Sequence, residues 1–488
     1  MSTEETGTTD RAVHRRSDRG MRRRSVLKVA AGAAAIGGLG SATSVVHADS
    51  PDARLVKPGS YDVIVIGAGY AGVTAARELR ARGLRPLILE ARNRIGGRAF
   101  TSTFWGKRIE LGANWFSQDQ TLVMRELQRY GVSLVPEGLM PQRAVYPNGT
   151  GGFENLDAIE AFTHNDSLLT RLFDGTRTYY PRPLEPLYAD AQIRAVDGKS
   201  LRDRINELNL SARDERWVSS TTSGYSGGNS ADGGLTALGA WWALAGHTPE
   251  GWHSLIGQVA TSGTNDLLKK ILADAQAQIV YDSPATSIAD DGRTVTVTVR
   301  GGITYSARAA VVAVPANVWK DISFRPGLPQ MHAEVAKQGS GVPVCRKFFA
   351  KVRGDFGHVS ANGPEGFPIS ALFSYHELPN NEQMMIGFSS DATLDLTNKA
   401  KVTETVQLML PQAEIRDIKA HDWGKDPYAR GGWALRRPGQ LTRHMPAVQQ
   451  PHGRIAFAND GIASGWVGFI DGAIETGIRA ATQTVSRF

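Results

Sequence analysis

Residues 61–90 constrain the fold more than any other part of the chain. Tyr61-Asp62-Val63-Ile64-Val65-Ile66 is a short apolar run rich in β-branched residues, the pattern of a buried parallel strand. Gly67-Ala68-Gly69-Tyr70-Ala71-Gly72 follows at once, then a helical stretch from Val73 to Arg82. A second strand, Pro86-Leu87-Ile88-Leu89, ends on Glu90, 21 residues after Gly69. In such a unit Gly67 permits the sharp turn, Gly69 lets backbone approach a pyrophosphate, and Gly72 lets the helix sit close to the strand. The helix N-terminus offers unpaired N–H groups to the phosphates, and the terminal acid accepts ribose hydroxyls. A lone Gly-x-Gly-x-x-Gly says little. Strand, helix, second strand and acid in this order predict an α/β fold with a Rossmann-type dinucleotide-binding domain.

With 488 residues the chain exceeds one compact core and suits two or three interleaved units. Its formal charge of +7 is concentrated at the start: residues 1–48 hold 8 basic and 4 acidic side chains, against 47 and 44 in the remainder. That balance is no nucleic-acid footprint. The 11 histidines show no metal-ligand spacing, and the single cysteine, Cys345, excludes a disulfide within the chain and reads as a buried apolar residue. No metal site is expected.

Arg23-Arg24-Ser25-Val26-Leu27-Lys28 pairs two arginines ahead of a weakly hydrophobic, Ala/Gly-rich run from Val29 to Val46, and Val46-His47-Ala48 offers small residues at the positions a signal peptidase reads. Residues 1–48 therefore read as a twin-arginine export signal, with Met21 as an alternative start. That route carries folded proteins, which suits a chain that binds its cofactor before export to the periplasm or the exterior.

The stretch Glu90-Ala91-Arg92-Asn93-Arg94-Ile95-Gly96-Gly97-Arg98 and the later Ile109-Glu110-Leu111-Gly112-Ala113-Asn114-Trp115 resemble the successive signatures of the flavin-containing amine oxidase (monoamine oxidase) family. A simple NAD dehydrogenase shows neither. The likeness runs through Ser283-Pro284-Ala285, Val311 to Pro315, and Asn459-Asp460 to Gly477, and is strongest toward bacterial nicotine-oxidising members. It implies FAD, held without a covalent bond, in a domain built from residues 58–115, 255–315 and 425–488. Residues 116–254 and 316–424 are then an interleaved, mixed α+β substrate domain. Beyond Gly67, Gly69, Gly72 and Glu90, the resemblance assigns cofactor contacts to Arg92, Gly97, Arg98, Gly112, Ala113, Asn114, Trp115, Ala285, Asp460 and Ile470. Where the family usually carries Gly-Glu, this chain has Asn459-Asp460, with a shorter acid. Some members tether the flavin through a cysteine near the Gly432-Trp433 position; none stands there, and Cys345 is expected on another strand.

The implied reaction moves a hydride from the α-carbon of a small, neutral amine to flavin N5, leaving an imine. Such a step needs an apolar slot, alignment and desolvation rather than a strong acid or base. Lys347, in the alternating stretch Val344 to Val352, matches the family lysine that holds a water near N5, with Arg346 and Lys351 as alternatives if the register shifts. Trp433 and Phe469 match two aromatic walls. A redox protein or oxygen is the expected electron acceptor, and a homodimer an expected assembly. Two alternatives stay open: an L-amino acid oxidase anchored on Arg436 or Arg437, and a flavin-binding protein without catalysis. Gly224-Tyr225-Ser226-Gly227-Gly228 fits Gly-x-Ser-x-Gly but lacks the strand–turn–helix setting of a nucleophile elbow. Trp241-Trp242 reads as pocket lining or helical core.

Overall fold

Val63–Ile66 and Pro86–Leu89 are fully buried and pair in parallel, because the Gly-rich turn and the helix Tyr70–Ala81 return the chain to the same sheet edge. The computed structural model describes residues 60–488 and, as backbone alone, the strand Val45–His47. All of the export signal except that strand lies outside the described residues. Gln278–Tyr281, Ala309–Val312 and Ile455–Phe457 join the same sheet, every pairing parallel. Backbone of Val45–His47 pairs with the outer edge of Gln278–Tyr281.

One face of this sheet is covered by the helices Tyr70–Ala81, Thr264–Ala275 and Ile470–Val485, which share a single apolar cluster with Val63, Val65 and Ile88. Gly477 lets the first and last of these helices touch: a Cβ there would stand 2.5 Å from the carbonyl oxygen of Ala71. The other face is covered by a four-stranded sheet of Thr304–Ala307, Val295–Val299, Ala285–Asp290 and Ser323–Arg325. Alternation in Val295–Val299 turns Val295, Val297 and Val299 inward onto Ile64, Ile66 and Leu87. Stacking two apolar layers on one parallel sheet follows from that sheet being apolar on both faces.

A second, seven-stranded sheet runs Glu414–Asp422, Arg346–Arg353, Glu382–Ser389, Ala371–Leu378, Val359–Asn362, Arg143–Pro147 and Phe153–Asp157. Helices Ala158–Leu172, Ala212–Ser226 and Leu235–Leu244 gather beside it. Every strand of this sheet falls within 143–157 or 346–422, whereas the parallel sheet draws its strands from before, between and after those stretches. The ribbon Thr101–Phe104/Lys107–Glu110 links the two regions: Phe104, Ile109 and Leu111 pack on Phe349, Tyr375 and Ile386 of the larger sheet. All residues from 60 onward belong to one compact unit. Among the described residues no helix is long and apolar enough to cross a membrane.

Candidate active site

The glycines show which parts of the cradle serve the protein and which face a ligand. A Cβ on Gly67 would stand 2.7 Å from Ala313 O, and one on Gly72 would stand 2.0 Å from Gly67 O, so both are demanded by packing of the chain on itself. A Cβ on Gly69 would meet only Gly96 O at 3.9 Å, and one on Gly97 only Gly69 Cα at 3.8 Å. These two bare backbones face each other across open space at the start of a helix with no side-chain cap. That is the geometry a pyrophosphate requires.

Glu90 closes the cradle. It is 3% exposed, and its carboxylate accepts Ala68 N–H at 2.8 Å and Arg92 N–H at 2.9 Å. Burial pushes its ionisation up, while those two amides pull it down. Ser283 N–H donates to Glu90 O at 2.8 Å, which brings the segment leading to Ala285 beside the acid. Asn265 Oδ1, close to Gly96, is buried without a partner among the described residues. An orphaned acceptor at the cradle rim, open glycine faces and free helix amides all fit a bound dinucleotide.

Two arginines assigned to the cofactor engage acids of this chain. Arg98 pairs with Asp460 and donates to Gly432 O at 2.7 Å; Arg92 pairs with Asp426 and lies 5.0 Å from the centroid of Tyr428. Arg98 and Asp460 are thus held side by side from distant segments, with Ile470 at the N-terminal end of the uncapped helix Ile470–Val485. Sequence reasoning passed over Arg94. Its guanidinium sits 3.9 Å over the Phe100 ring and donates to Ile95 O and Gly97 O, and it makes no ion pair among the described residues. Burial, then the neighbouring Arg92, lowers its ionisation to about 10. Its place inside the Gly96-Gly97 signature was the available signal.

Gly112, Ala113, Asn114 and Trp115 leave the ribbon and meet Lys347. Lys347 is 2% exposed and donates to Gly112 O at 2.9 Å, with its ammonium 5.0 Å from the Trp115 ring and 5.7 Å from that of Phe388. Desolvation dominates its ionisation and lowers it to about 8, against the opposing pull of Glu137 and Glu110. The register alternatives are occupied elsewhere: Arg346 donates to Asp391 O and Leu394 O, and Lys351 pairs with Glu382 at 2.7 Å.

Ring contacts connect Lys347 to both aromatic candidates. Phe388 lies 6.4 Å from Trp433, Trp433 lies 6.4 Å from Tyr225, Tyr225 lies 5.6 Å from Trp241, and Trp241 lies 4.9 Å from Phe469. Trp433 is fixed by an indole N–H donated to Tyr225 O at 2.9 Å, and both Trp433 and Phe469 remain half-buried. Trp241 and Trp242 are buried in the helix Leu235–Leu244, with Trp241 backing Phe469. The side chain of Ser226 donates to Thr222 O at 2.7 Å at the end of a helix, so it forms no nucleophile elbow.

Cys345 is buried, as expected, but lies closer to Gly432 than its place in the sequence suggests. It precedes the strand Arg346–Arg353, but its Sγ would be 2.5 Å from a Cβ on Gly432. The thiol therefore fills the space beside Gly432. Burial pushes it up to about 12, which suppresses the thiolate. Arg436, a rival carboxylate anchor, is buried and donates to Ala463 O at 2.7 Å, with Tyr180, Asp197 and Glu475 as its electrostatic neighbours. Arg437 is exposed.

The family profile described as flavin-containing amine oxidoreductase matches residues 70–485. The chain belongs to that family. Pseudooxynicotine dehydrogenase of a Pseudomonas species is 33% identical over 96% of this chain and 96% of its own. Nicotine dehydrogenase of Pseudomonas putida is 31% identical over 96% and 98%. Among solved structures, putrescine oxidase bound to putrescine superposes with a TM-score of 0.73 at 22% identity, over 87% of this chain and 99% of its own. The protein is an FAD-dependent enzyme that oxidises amines, on the α/β fold of flavin amine oxidases. Other residues in contact with the site carried no local signal: Glu137, Tyr375, Tyr225 and Phe388 come from a loop, two strands and a helix far apart in sequence.

Proposed function

We propose that this enzyme oxidises a small, uncharged-bodied amine between aromatic walls at Trp433 and Phe469, with Lys347 as the polar group beside the reacting centre. The observation that carries the reading is Lys347 itself, buried against three aromatic rings and fastened to Gly112 O. Burying an ammonium is costly, and packing alone gives no reason to retain one. Bound FAD supplies the two-electron acceptor for the hydride leaving the carbon next to nitrogen. Gly69, Gly97 and Glu90 hold its pyrophosphate and adenosine end, with Arg92, Ala285 and Arg98 around them. Gly112 to Trp115, Asp460 and Ile470 line the flavin end.

The protein's own part is exclusion and alignment. The half-buried Trp433 and Phe469 offer faces to the body of the amine, and the apolar lining favours its neutral form. Arg436 is committed to Ala463 O, which supports an amine over an amino acid. The names of the two bacterial relatives support an amine of that size class. Both are dehydrogenases, which supports a redox protein over oxygen as acceptor. We also place FAD as non-covalent, the residues 58–115, 255–315 and 425–488 as its domain, and residues 1–48 as a twin-arginine signal.

Anaerobic stopped-flow reduction of the flavin by benzylamine and putrescine, followed by reoxidation with oxygen or cytochrome c, tests the reading in wild type and Lys347→Met. The substitution is expected to slow at least one half-reaction with FAD still bound. Both half-reactions at wild-type rates would remove Lys347 from the site's chemistry.

A further inference from the structure

Phe388, Trp433, Tyr225, Trp241 and Phe469, each in ring contact with the next, carry three polar side-chain atoms between them, and two are already used. Trp433 donates its indole N–H to Tyr225 O at 2.9 Å, and Trp241 donates its own to Val467 O at 3.0 Å. The third is the hydroxyl of Tyr225, which no group among the described residues bonds. Tyr225 is half-buried, and its hydroxyl is not sealed in the core as the unpartnered hydroxyls of Tyr179 and Tyr305 are. Burial pushes the phenol up to about 12, so it keeps its proton and can donate near neutral pH.

Tyr225 lies within the Gly-x-Ser-x-Gly run, and in the fold it is the next-to-last residue of the helix Ala212–Ser226. Its ring stands edge-on to three indoles, 5.6 Å from Trp241, 5.5 Å from Trp252 and 6.4 Å from Trp433. Trp241 and Trp252 are buried, so the ring is walled in on those sides. The order of contacts fixes its place in the site. Lys347 meets Phe388, Phe388 meets Trp433, and Trp433 meets Tyr225. The phenol therefore stands beyond Trp433, at the end of the site remote from the ammonium.

We propose that Tyr225 is a specificity-determining residue, whose hydroxyl donates a hydrogen bond to a neutral acceptor atom in the remote ring of the substrate. The proposal rests on the placement of the amine between Trp433 and Phe469 given above. It narrows the substrate class from small amines in general to arylalkylamines with an acceptor in the ring. The acceptor is neutral because these five rings carry no charge, and an anion among them would be desolvated without a partner. The aromatic faces supply contact area, and one polar group sets which way round the substrate lies. A plain phenyl ring covers the hydroxyl and leaves it unpaired, so the subsite penalises the wrong ring as well as rewarding the right one.

The test is a double-mutant cycle between enzyme and ligand, run on the FAD-loaded protein. Benzylamine and the three isomeric pyridylmethylamines differ only in one ring CH replaced by N. Anaerobic stopped-flow reduction of the flavin reads the half-saturating concentration of each in wild type and in Tyr225→Phe. The variant keeps the ring and the backbone carbonyl that fixes Trp433, so only the hydroxyl is lost. The preference for at least one pyridyl isomer over benzylamine is expected to be about 3- to 10-fold greater in wild type than in the variant. Comparing the two enzymes cancels the ring nitrogen's own effect on the amine. Benzylamine is expected to bind the variant at least as tightly as the wild type, since its ring no longer covers an unpaired hydroxyl. Equal preferences in both enzymes for all three isomers would overturn the proposal and reduce the hydroxyl to a holder of water, with the reading of Trp433 and Phe469 left standing. Failure of all four amines to bleach the wild-type flavin would reject that reading instead.

Discussion

Replacing Lys347 by Met is expected to stabilise the protein while it damages the chemistry. Met has nearly the length of Lys and fills the same slot between Trp115, Phe349 and Phe388 without a charge. Moving the ammonium's ionisation from an ordinary 10.5 to about 8 corresponds to about 3 kcal/mol held against the charged form in the folded protein. The depressed value fixes the sign of the pH dependence. Below about pH 8 folded and unfolded chains both carry the proton, and the wild type bears the whole penalty. Between about 8 and 10.5 the unfolded chain binds more protons than the folded one, so wild-type stability rises with pH and the advantage of the variant shrinks. Glu137 loses its facing cation in the variant, but near neutrality it protonates readily, so only part of the gain is returned. Urea unfolding of the FAD-saturated proteins at pH 7 and at about pH 9.5 reads the difference. The expected gap in favour of Met is about 2–3 kcal/mol at the lower pH and about 1 kcal/mol at the higher. A variant destabilised equally at both would make Lys347 a structural residue and refute the reasoning.

Other outcomes follow from the same geometry. Gly69→Ala is expected to fold and to lose FAD on gel filtration, whereas Gly72→Ala, with its Cβ 2.0 Å from Gly67 O, is expected to give little soluble protein. Acid precipitation is expected to release all the flavin colour; yellow retained in the pellet and abolished by Cys345→Ser would mean that the thiol beside Gly432 is bonded to the cofactor. Trp433→Ala is expected to raise the half-saturating amine concentration in anaerobic flavin reduction about tenfold or more, and Phe469→Ala to raise it less, since the larger wall is also bonded to Tyr225 O. Equal, negligible effects would return both rings to core packing.

The start of the parallel sheet was legible because Val63–Ile66 and Pro86–Leu89 are short, fully apolar runs next to turn residues, whereas Gln278–Tyr281 opens on a polar residue. The strand Ala309–Val312 begins two residues before the apolar run Val311 to Pro315, and Ile455–Phe457 is apolar throughout, as Val63–Ile66 is. Gly67, Gly69, Gly72 and Glu90 were legible for a related reason, since their spacing is set by one local unit. The face of the cradle was not: only the packed structure separates Gly72, crowded by Gly67 O, from Gly69, bordering open space. Lys347 was placed by resemblance. Its company was invisible, because Glu137 lies 210 residues upstream in a featureless loop and Tyr375 lies on another strand. The closeness of Cys345 and Gly432 escaped for the same reason. Two backbones joined by Gly432 N–H to Val342 O, and Val342 N–H to Trp433 O, meet across a gap of sequence that no local pattern bridges.

The central claim is that the pocket takes an amine, and that neither Arg436, committed to Ala463 O, nor the exposed Arg437 anchors a carboxylate there. It is tested most directly by anaerobic flavin bleaching with a matched pair, phenethylamine and L-phenylalanine, which differ only in the α-carboxylate. Burying an unpaired carboxylate costs several kcal/mol, enough to lower affinity by orders of magnitude. The account predicts that the amine bleaches the flavin and the amino acid leaves it yellow at equal concentration. Bleaching by L-phenylalanine with none by phenethylamine would contradict it and make the enzyme an amino acid oxidase.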